Sequence, residues 1–327
     1  MSYTHLLPLI KKSGSPLTPE GFHEKINVIF HDHEADHYDV MHNNMWQSLQ
    51  EQIDLLVGDL FDSGVEVGQK LSLLDIGCGT GLSSQILINS KLGSHIEKVT
   101  LLDTSANMLK QAELKARQWN KEYKIINSQV SGLTEQFDVV IICSVLHHIP
   151  ELEQFLKQLD SIVKPGGILI HLQDPNGDYL RDPKYLKRVE EYKVEVRPDK
   201  KRNSVTNLIP KRWKNYINNS IGKKTYIDLI NDQLIAQKAI SKRMTAEEIW
   251  SVTDIHVENK SNKLNKGISL GFLAAQLGNF KLISQRSYAF YGFLKSDLND
   301  KFKQKEDELI AQKQLNGRNI SCLRIKK

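Results

Sequence analysis

The sequence predicts an α/β chain: a doubly wound, mostly parallel sheet with an N-terminal helical cover and a helical lid inserted after the fifth strand. Three observations carry this prediction. Residues 71–76 are a short apolar run that meets Gly77-Cys78-Gly79-Thr80-Gly81 and then helix-compatible residues from Leu82, a strand–turn–helix unit. Residues 98–103 form a second such strand whose terminal acid, Asp103, stands 22 residues after Gly81. Residues 137–143 and 168–173 are apolar almost throughout, as parallel strands buried on both faces are, and a helical pattern separates them.

Composition narrows the class. The 327 residues are 40% hydrophobic and 25% charged, an ordinary globular balance with enough chain for one large or two modest domains. No apolar run has signal-peptide or membrane-spanning length. Cys78, Cys143 and Cys322 are neither paired by spacing nor grouped like metal ligands, so a reducing, cytoplasmic setting and no metal are expected.

Taken in order, residues 1–66 read as an arm and cover. Pro8, Pro16 and Pro19 suggest at most short helices before residue 25. A histidine-rich stretch follows, with His31, His33, His37 and His42. His33-Glu34-Ala35-Asp36-His37 matches the H-E-x-x-H expression of zinc hydrolases, but no third ligand is announced downstream and no zinc is expected there. Met45, Trp46, Leu49, Ile53, Leu56 and Leu60 keep helical spacing up to Gly64 and predict a helix packed on the sheet edge.

Residues 67–175 contain the glycine turn. Its order is D-x-G-x-G-x-G, with Asp75 at the strand end and Leu82 where a dinucleotide fingerprint has its third glycine. No G-K-[ST] follows, which excludes a P-loop. Thr104 and Ser105 then cap a helix running to Trp119, and residues 123–127 form a third strand followed by Ser128 and Gln129. The fourth strand runs into Ser144-Val145-Leu146-His147-His148-Ile149-Pro150, and Lys164-Pro165-Gly166-Gly167 turns the chain into the fifth.

These motifs, D-I-G-C-G-T-G, LLDTSANML and FDVVIICSVLHHIP, resemble those of the class I S-adenosylmethionine (SAM) methyltransferases of small-molecule type. The resemblance implies S-adenosyl-L-methionine as cofactor, with Asp75, Gly77, Gly79 and Gly81 at its methionine end and Asp103 on the ribose. Cys78, Thr104, Met108 and Ser144 complete the expected cofactor wall. The adenine aspartate of the family is replaced here, leaving Ser128 and Gln129 to border the base. Ala35-x-x-Tyr38-Asp39 resembles the family's N-terminal cover, which puts Tyr38 near the methyl donor; a tyrosine packed on the domain surface is the alternative. His147 or His148 is the candidate general base, against a purely loop-shaping role.

Residues 176–279 interrupt the alternation and are expected to form a mostly helical lid on the substrate side. From Arg181 to Lys224, 14 lysines and arginines face five acids, while the rest of the chain is net acidic. Such a face is either simply solvated or turned to an anionic partner. Thr245 and Glu248 form a capping box, and residues 271–278 a further helix. Residues 280–327 then supply two more strands around a charged helix, making seven in all, the last antiparallel by the resemblance. The expected function is methyl transfer to a small-molecule acceptor, and the basic insert suits an anionic one. An RNA or protein methyltransferase using the basic insert, a non-catalytic SAM-binding regulatory protein and, more remotely, a nicotinamide oxidoreductase are the rivals. Neither the oligomeric state nor the acceptor atom is legible.

Overall fold

In the computed structural model, residues 3–179, 182–196, 224–257 and 267–327 are described. Seven strands form one sheet in the order β3-β2-β1-β4-β5-β7-β6. They are β1 (Leu71–Ile76), β2 (Ile96–Asp103), β3 (Glu122–Asn127), β4 (Phe137–Cys143), β5 (Val163–Pro175), β6 (Phe280–Tyr288) and β7 (Asn319–Lys326). Strands β1 to β5 pair in parallel, whereas β7 runs antiparallel to both β5 and β6. The order reverses between β1 and β4, and in such sheets ligands sit at the carboxyl ends of the strands beside that switch.

Both faces are apolar and covered. On one face lie α4 (Asn43–Asp62), α5 (Leu82–Asn89), α6 (Ala106–Ala116) and α12 (Asp300–Ala311), packed on Leu73, Leu101, Ile141 and Leu323. Helix α4 crosses the face over β5, β7 and β6 instead of lying along the edge alone. On the other face α7 (Leu152–Ile162) and α11 (Leu270–Gln276) pack on Leu74, Val140 and Leu169. No helix among the described residues is long and apolar enough to cross a membrane.

The N-terminal arm differs from expectation. After the short α1 (Leu7–Ser13), Thr18 caps a 16-residue helix, α2 (Pro19–Glu34), its hydroxyl accepting from the Gly21 N–H. Proline at the first helical position starts a helix well, because its missing N–H would have been unpaired there. Phe22, Ile26, Ile29 and Phe30 of α2 form a third apolar cluster with Tyr226, Ile230, Leu234, Ile249 and Val252 of the insert. The partners are α9 (Tyr226–Ala236) and α10 (Ala246–Thr253), each opened by a complete capping box. The N-terminal helix and the insert thus share one core. The four-residue α3 (Tyr38–Met41) links α2 to α4.

The insert leaves and returns at one point, where Asn176 bridges Ile268. Its first helix, α8 (Pro183–Val196), packs Tyr192 on Tyr291 and Phe302 of the sheet domain. Nine of the 14 bases between Arg181 and Lys224 lie outside the described residues, as do Trp213 and Tyr216.

Candidate active site

The glycine turn is held from behind by Asp75. This fully buried carboxylate accepts from the Ser84 N–H at 3.0 Å and from the Ser83 and Ser84 hydroxyls, both at 2.7 Å, fastening the first turn of α5 to β1. Burial pushes its carboxyl up to about 6 against the pull of those donors. Gly77, Gly79 and Gly81 all have positive φ. A Cβ at Gly77 would lie 2.5 Å from Val145 Cγ2, and one at Gly81 would press on Ala112 of α6 at 3.3 Å. At Gly79 a Cβ would meet no protein atom within 4 Å, and this residue lines the cavity.

The turn's backbone donors are mostly consumed within the chain. The Gly77 and Cys78 N–H groups both donate to the Leu102 carbonyl, Gly81 to Cys78, and Gly79 to Asp103 Oδ2 at 2.8 Å. A phosphate cradle needs such donors free. Asp103 Oδ1 accepts from the Ser105 N–H at 2.8 Å, and the carboxylate keeps further lone pairs toward the cavity that it lines. Burial raises its carboxyl above the usual range.

The cover is tied to this cradle by acids from the histidine-rich stretch. Asp32 Oδ1 accepts from the Ser105 hydroxyl at 2.6 Å and from the Asn107 N–H at 3.2 Å, so a carboxylate sits at the positive N-terminus of α6. Asp39 accepts from the Thr80 hydroxyl at 2.6 Å and pairs with Lys115, which also donates to the Thr80 carbonyl. Between α2 and the strand ends lies a cavity of about 400 Å³. Glu20, Glu24, Asp103 and Glu151 contribute acids to its wall, and no described lysine or arginine lines it. A negative wall of this kind suits a cation and disfavours a pyrophosphate.

Imidazoles crowd the cavity beside the loop after β4. His31 Nδ1 stands 3.2 Å from Glu34 Oε2, and the His31 ring meets His148 edge-on at 5.2 Å. Burial alone would lower His31, but the Glu34 hydrogen bond and charge outweigh it and raise the group. Burial, followed by the charge of His147, drives His148 well down, so this ring is neutral; its Nδ1 lies 2.8 Å from the Thr253 carbonyl. His147 is turned away: its Nδ1 and its backbone N–H both contact Asp174 Oδ1, at 2.8 and 3.1 Å. Ser144 holds a left-handed φ of 59°, fixed by its N–H bond to Leu172.

Of the expected site residues, Tyr38, Gly77, Cys78, Gly79, Asp103, Thr104, Met108, Ser128, Gln129, Ser144 and His148 come together on the cavity wall. Asp75, Gly81 and His147 do not line it; the first two shape the turn beneath it. His33 and His37 do not share a helix face, because α2 ends at Glu34. The zinc-type expression therefore has no helix to act on, and Glu34 pairs with His31 instead. Sequence reasoning missed the strap role of Asp32, the His31–Glu34 pair and Asp254. Asp254 sits 3.3 Å from His148 Nδ1 although 106 positions separate the two residues.

Comparison with known proteins agrees with this geometry. A protein-family model described as a methyltransferase domain matches residues 74–169. The chain is 34% identical over 119 residues to trichosetin synthetase PKS-NRPS1 of Gibberella fujikuroi, covering 34% of this chain and 3% of that protein. It is 34% identical over 112 residues to the ubiquinone biosynthesis O-methyltransferase of Maricaulis maris, covering 33% and 42%. A solved magnesium protoporphyrin IX methyltransferase from Synechocystis with bound SAH superposes with a TM-score of 0.44 at 13% identity, over 88% and 85% of the two chains. The chain thus spans only 3% of the length of the first curated relatives it matches. The matched segment, residues 74–169, holds the glycine turn, both strand-end acids and the loop after β4; it is similar to methyltransferase domains and lies in a seven-stranded sheet with the class I methyltransferase fold.

Proposed function

We propose that this chain transfers a methyl group from S-adenosylmethionine to a small-molecule acceptor. The observation that supports this reading best is the half-open cavity whose wall carries several acids and no described lysine or arginine, over a glycine turn whose N–H groups are mostly bonded already. When bound there, the cofactor supplies a methyl group already activated on a sulfonium. The protein's part is then positioning and exclusion of water. Gly79 lets the wall approach the ligand, Asp103 accepts from hydroxyls, and Ser128 and Gln129 offer acceptors at the far end. The cover helix α2 closes the site and brings His31.

His31 is the group best placed to take a proton from an acceptor. Glu34 orients it, and the hydrogen bond and charge of Glu34 raise its basicity above that of an ordinary imidazole. His148, strongly lowered, serves as a neutral hydrogen-bonding wall. An anionic acceptor receives no support from the described wall, and the bases that suggested one mostly lie outside the described residues. The O-methyltransferase relatives favour a small acceptor over RNA.

The test is to offer methyl-labelled S-adenosylmethionine with a metabolite library and, separately, total RNA. Label is expected in a small molecule; label in RNA alone would overturn the acceptor class, and binding of NAD in place of S-adenosylhomocysteine would overturn the ligand. His31→Gln is expected to lower kcat by roughly 10²- to 10⁴-fold with cofactor affinity kept. In the unmodified enzyme activity should fall as the pH drops through the raised His31 pKa and the base becomes protonated. An unchanged acidic limb in His31→Gln would remove His31 from that role.

A further inference from the structure

We propose that His147, His148 and Asp254 form a binding site for a divalent first-row transition ion just behind the cavity, beside its wall residue His148. This goes beyond methyl transfer and does not depend on it.

The geometry comes first. One ligand atom from each of the three residues lies within 4.8 Å of the other two. His147 Nε2 is 3.9 Å and His148 Nδ1 3.3 Å from the same oxygen, Asp254 Oδ1. Ligands held at about 2.0–2.2 Å around one ion sit roughly 3–3.6 Å apart, so both distances to Asp254 are already close to that range, and the two imidazoles, within 4.8 Å, need to close by about an ångström at most. Coordination through His148 Nδ1 would replace its bond to the Thr253 carbonyl, which then lies within reach as a further oxygen.

The surroundings are those of a metal ligand. Asp174, fully buried, engages His147 Nδ1 and leaves Nε2 as the ring's free lone pair, the carboxylate–histidine pairing that orients metal-bound imidazoles. Asp174 also bonds the His147 backbone N–H, so ring and main chain are fixed together. The second supporting element is the insert: the His256 N–H donates to the His147 carbonyl, and His256 Nε2 lies 2.8 Å from the Ile149 carbonyl.

Charge gives the reason for a cation. Among the described residues neither Asp174 nor Asp254 forms an ion pair with a lysine or arginine, and Asp174 Oδ2 has no hydrogen-bond partner. Two carboxylates therefore share His147, which can carry one positive charge, beside a neutral His148. Buried charge needs compensation, and a divalent ion supplies it. Two imidazoles and one carboxylate without a thiolate suit Zn²⁺, Fe²⁺ or Co²⁺ better than Mg²⁺ or Ca²⁺, and three protein ligands leave open positions. The Asp254 side chain is 35% exposed and His148 lines the cavity, so an ion has a way in.

The test uses the full chain after treatment with chelator, titrated with Zn²⁺ in a calorimeter and with Co²⁺ in the visible range. One equivalent per chain is expected, with Co²⁺ d–d bands of nitrogen and oxygen ligation. Asp254→Asn and His147→Gln should each weaken Zn²⁺ at least tenfold, and Asp174→Asn by roughly 10- to 100-fold. His33→Gln should bind as the unmodified chain does. Thermal melts and S-adenosylhomocysteine titrations on each variant report whether fold and cofactor cleft survive. Absence of saturable one-to-one binding and of Co²⁺ bands in the unmodified chain would overturn the site. So would Zn²⁺ affinity unchanged in folded Asp254→Asn and His147→Gln. Either result leaves the methyltransferase reading standing, since S-adenosylhomocysteine binding is read separately.

Discussion

Replacing Asp103 by asparagine isolates the charge that lines the cavity beside the glycine turn. Asparagine keeps the side chain's shape but presents an NH₂ to one of the two backbone donors, Gly79 N–H or Ser105 N–H, that the carboxylate now accepts at 2.8 Å. Leaving one such donor unpaired costs about 1–3 kcal/mol of stability, which a thermal melt detects without abolishing the fold. On the ligand side, each hydroxyl bond to a charged acceptor is worth about 1.5–3 kcal/mol. The dissociation constant for S-adenosylhomocysteine should therefore rise about 10- to 100-fold, at about 1.4 kcal/mol per tenfold. The pH dependence sharpens the test. Burial raises the Asp103 carboxyl in the free protein, whereas hydroxyl donors favour its charged form, so binding lowers its pKa. Affinity must then be fullest above the raised pKa and fall as the pH drops through it. The asparagine variant cannot titrate and should lose that limb. Calorimetry from neutral to mildly acidic pH checks both points. A folded Asp103→Asn with affinity within twofold of the original, or with the same acidic limb, would refute the placement of the ligand against Asp103.

Two further predictions concern the same cradle. Gly77→Ala and Gly79→Ala both force a left-handed alanine, about 1–2 kcal/mol of strain, but only the first drives a Cβ against Val145. Gly77→Ala should lower Tm clearly more than Gly79→Ala, whereas Gly79→Ala should weaken S-adenosylhomocysteine while the fold holds; equal losses of Tm would count against this division. Asp32→Ala removes the carboxylate at the start of α6 and the strap to α2, and should destabilise by about 0.5–2 kcal/mol as a lost helix cap does. Hydrogen exchange over residues 19–34 should quicken in that variant, and unchanged protection there would show that the cover is held by its apolar face alone.

Much of the sheet domain was legible because its signals are local. Two-sided burial makes β4 and residues 168–173 of β5 almost continuous apolar runs, and a strand-to-helix turn after β1 needs glycine, so Gly77, Gly79 and Gly81 declared themselves. The capping box at Thr245 and Glu248 was equally readable, since both partners lie within four residues. Proline content alone predicts only short helices before residue 25, but Pro19 starts a 16-residue helix behind the Thr18 cap, where its missing N–H costs nothing. Contacts across the chain were beyond reach. The apolar stripe of α2 (Phe22, Ile26, Ile29, Phe30) finds its partner some 200 residues later in α9 and α10, and nothing in either stretch names the other. The same holds inside the site. In the sequence His31 is one histidine among four, and only the docking of α2 selects it, by setting its ring against His148 beside Glu34 while His37 falls beyond the end of the helix. Asp254 carried no motif at all; the packing of α10 under the loop after β4 brings it to His147 and His148. Short-range sequence determined which backbone turns and strand ends exist, because those depend on each residue's own conformational freedom and its immediate neighbours. Which carboxylate meets which imidazole depends on helices docked through buried apolar surface, and tertiary structure alone decided that.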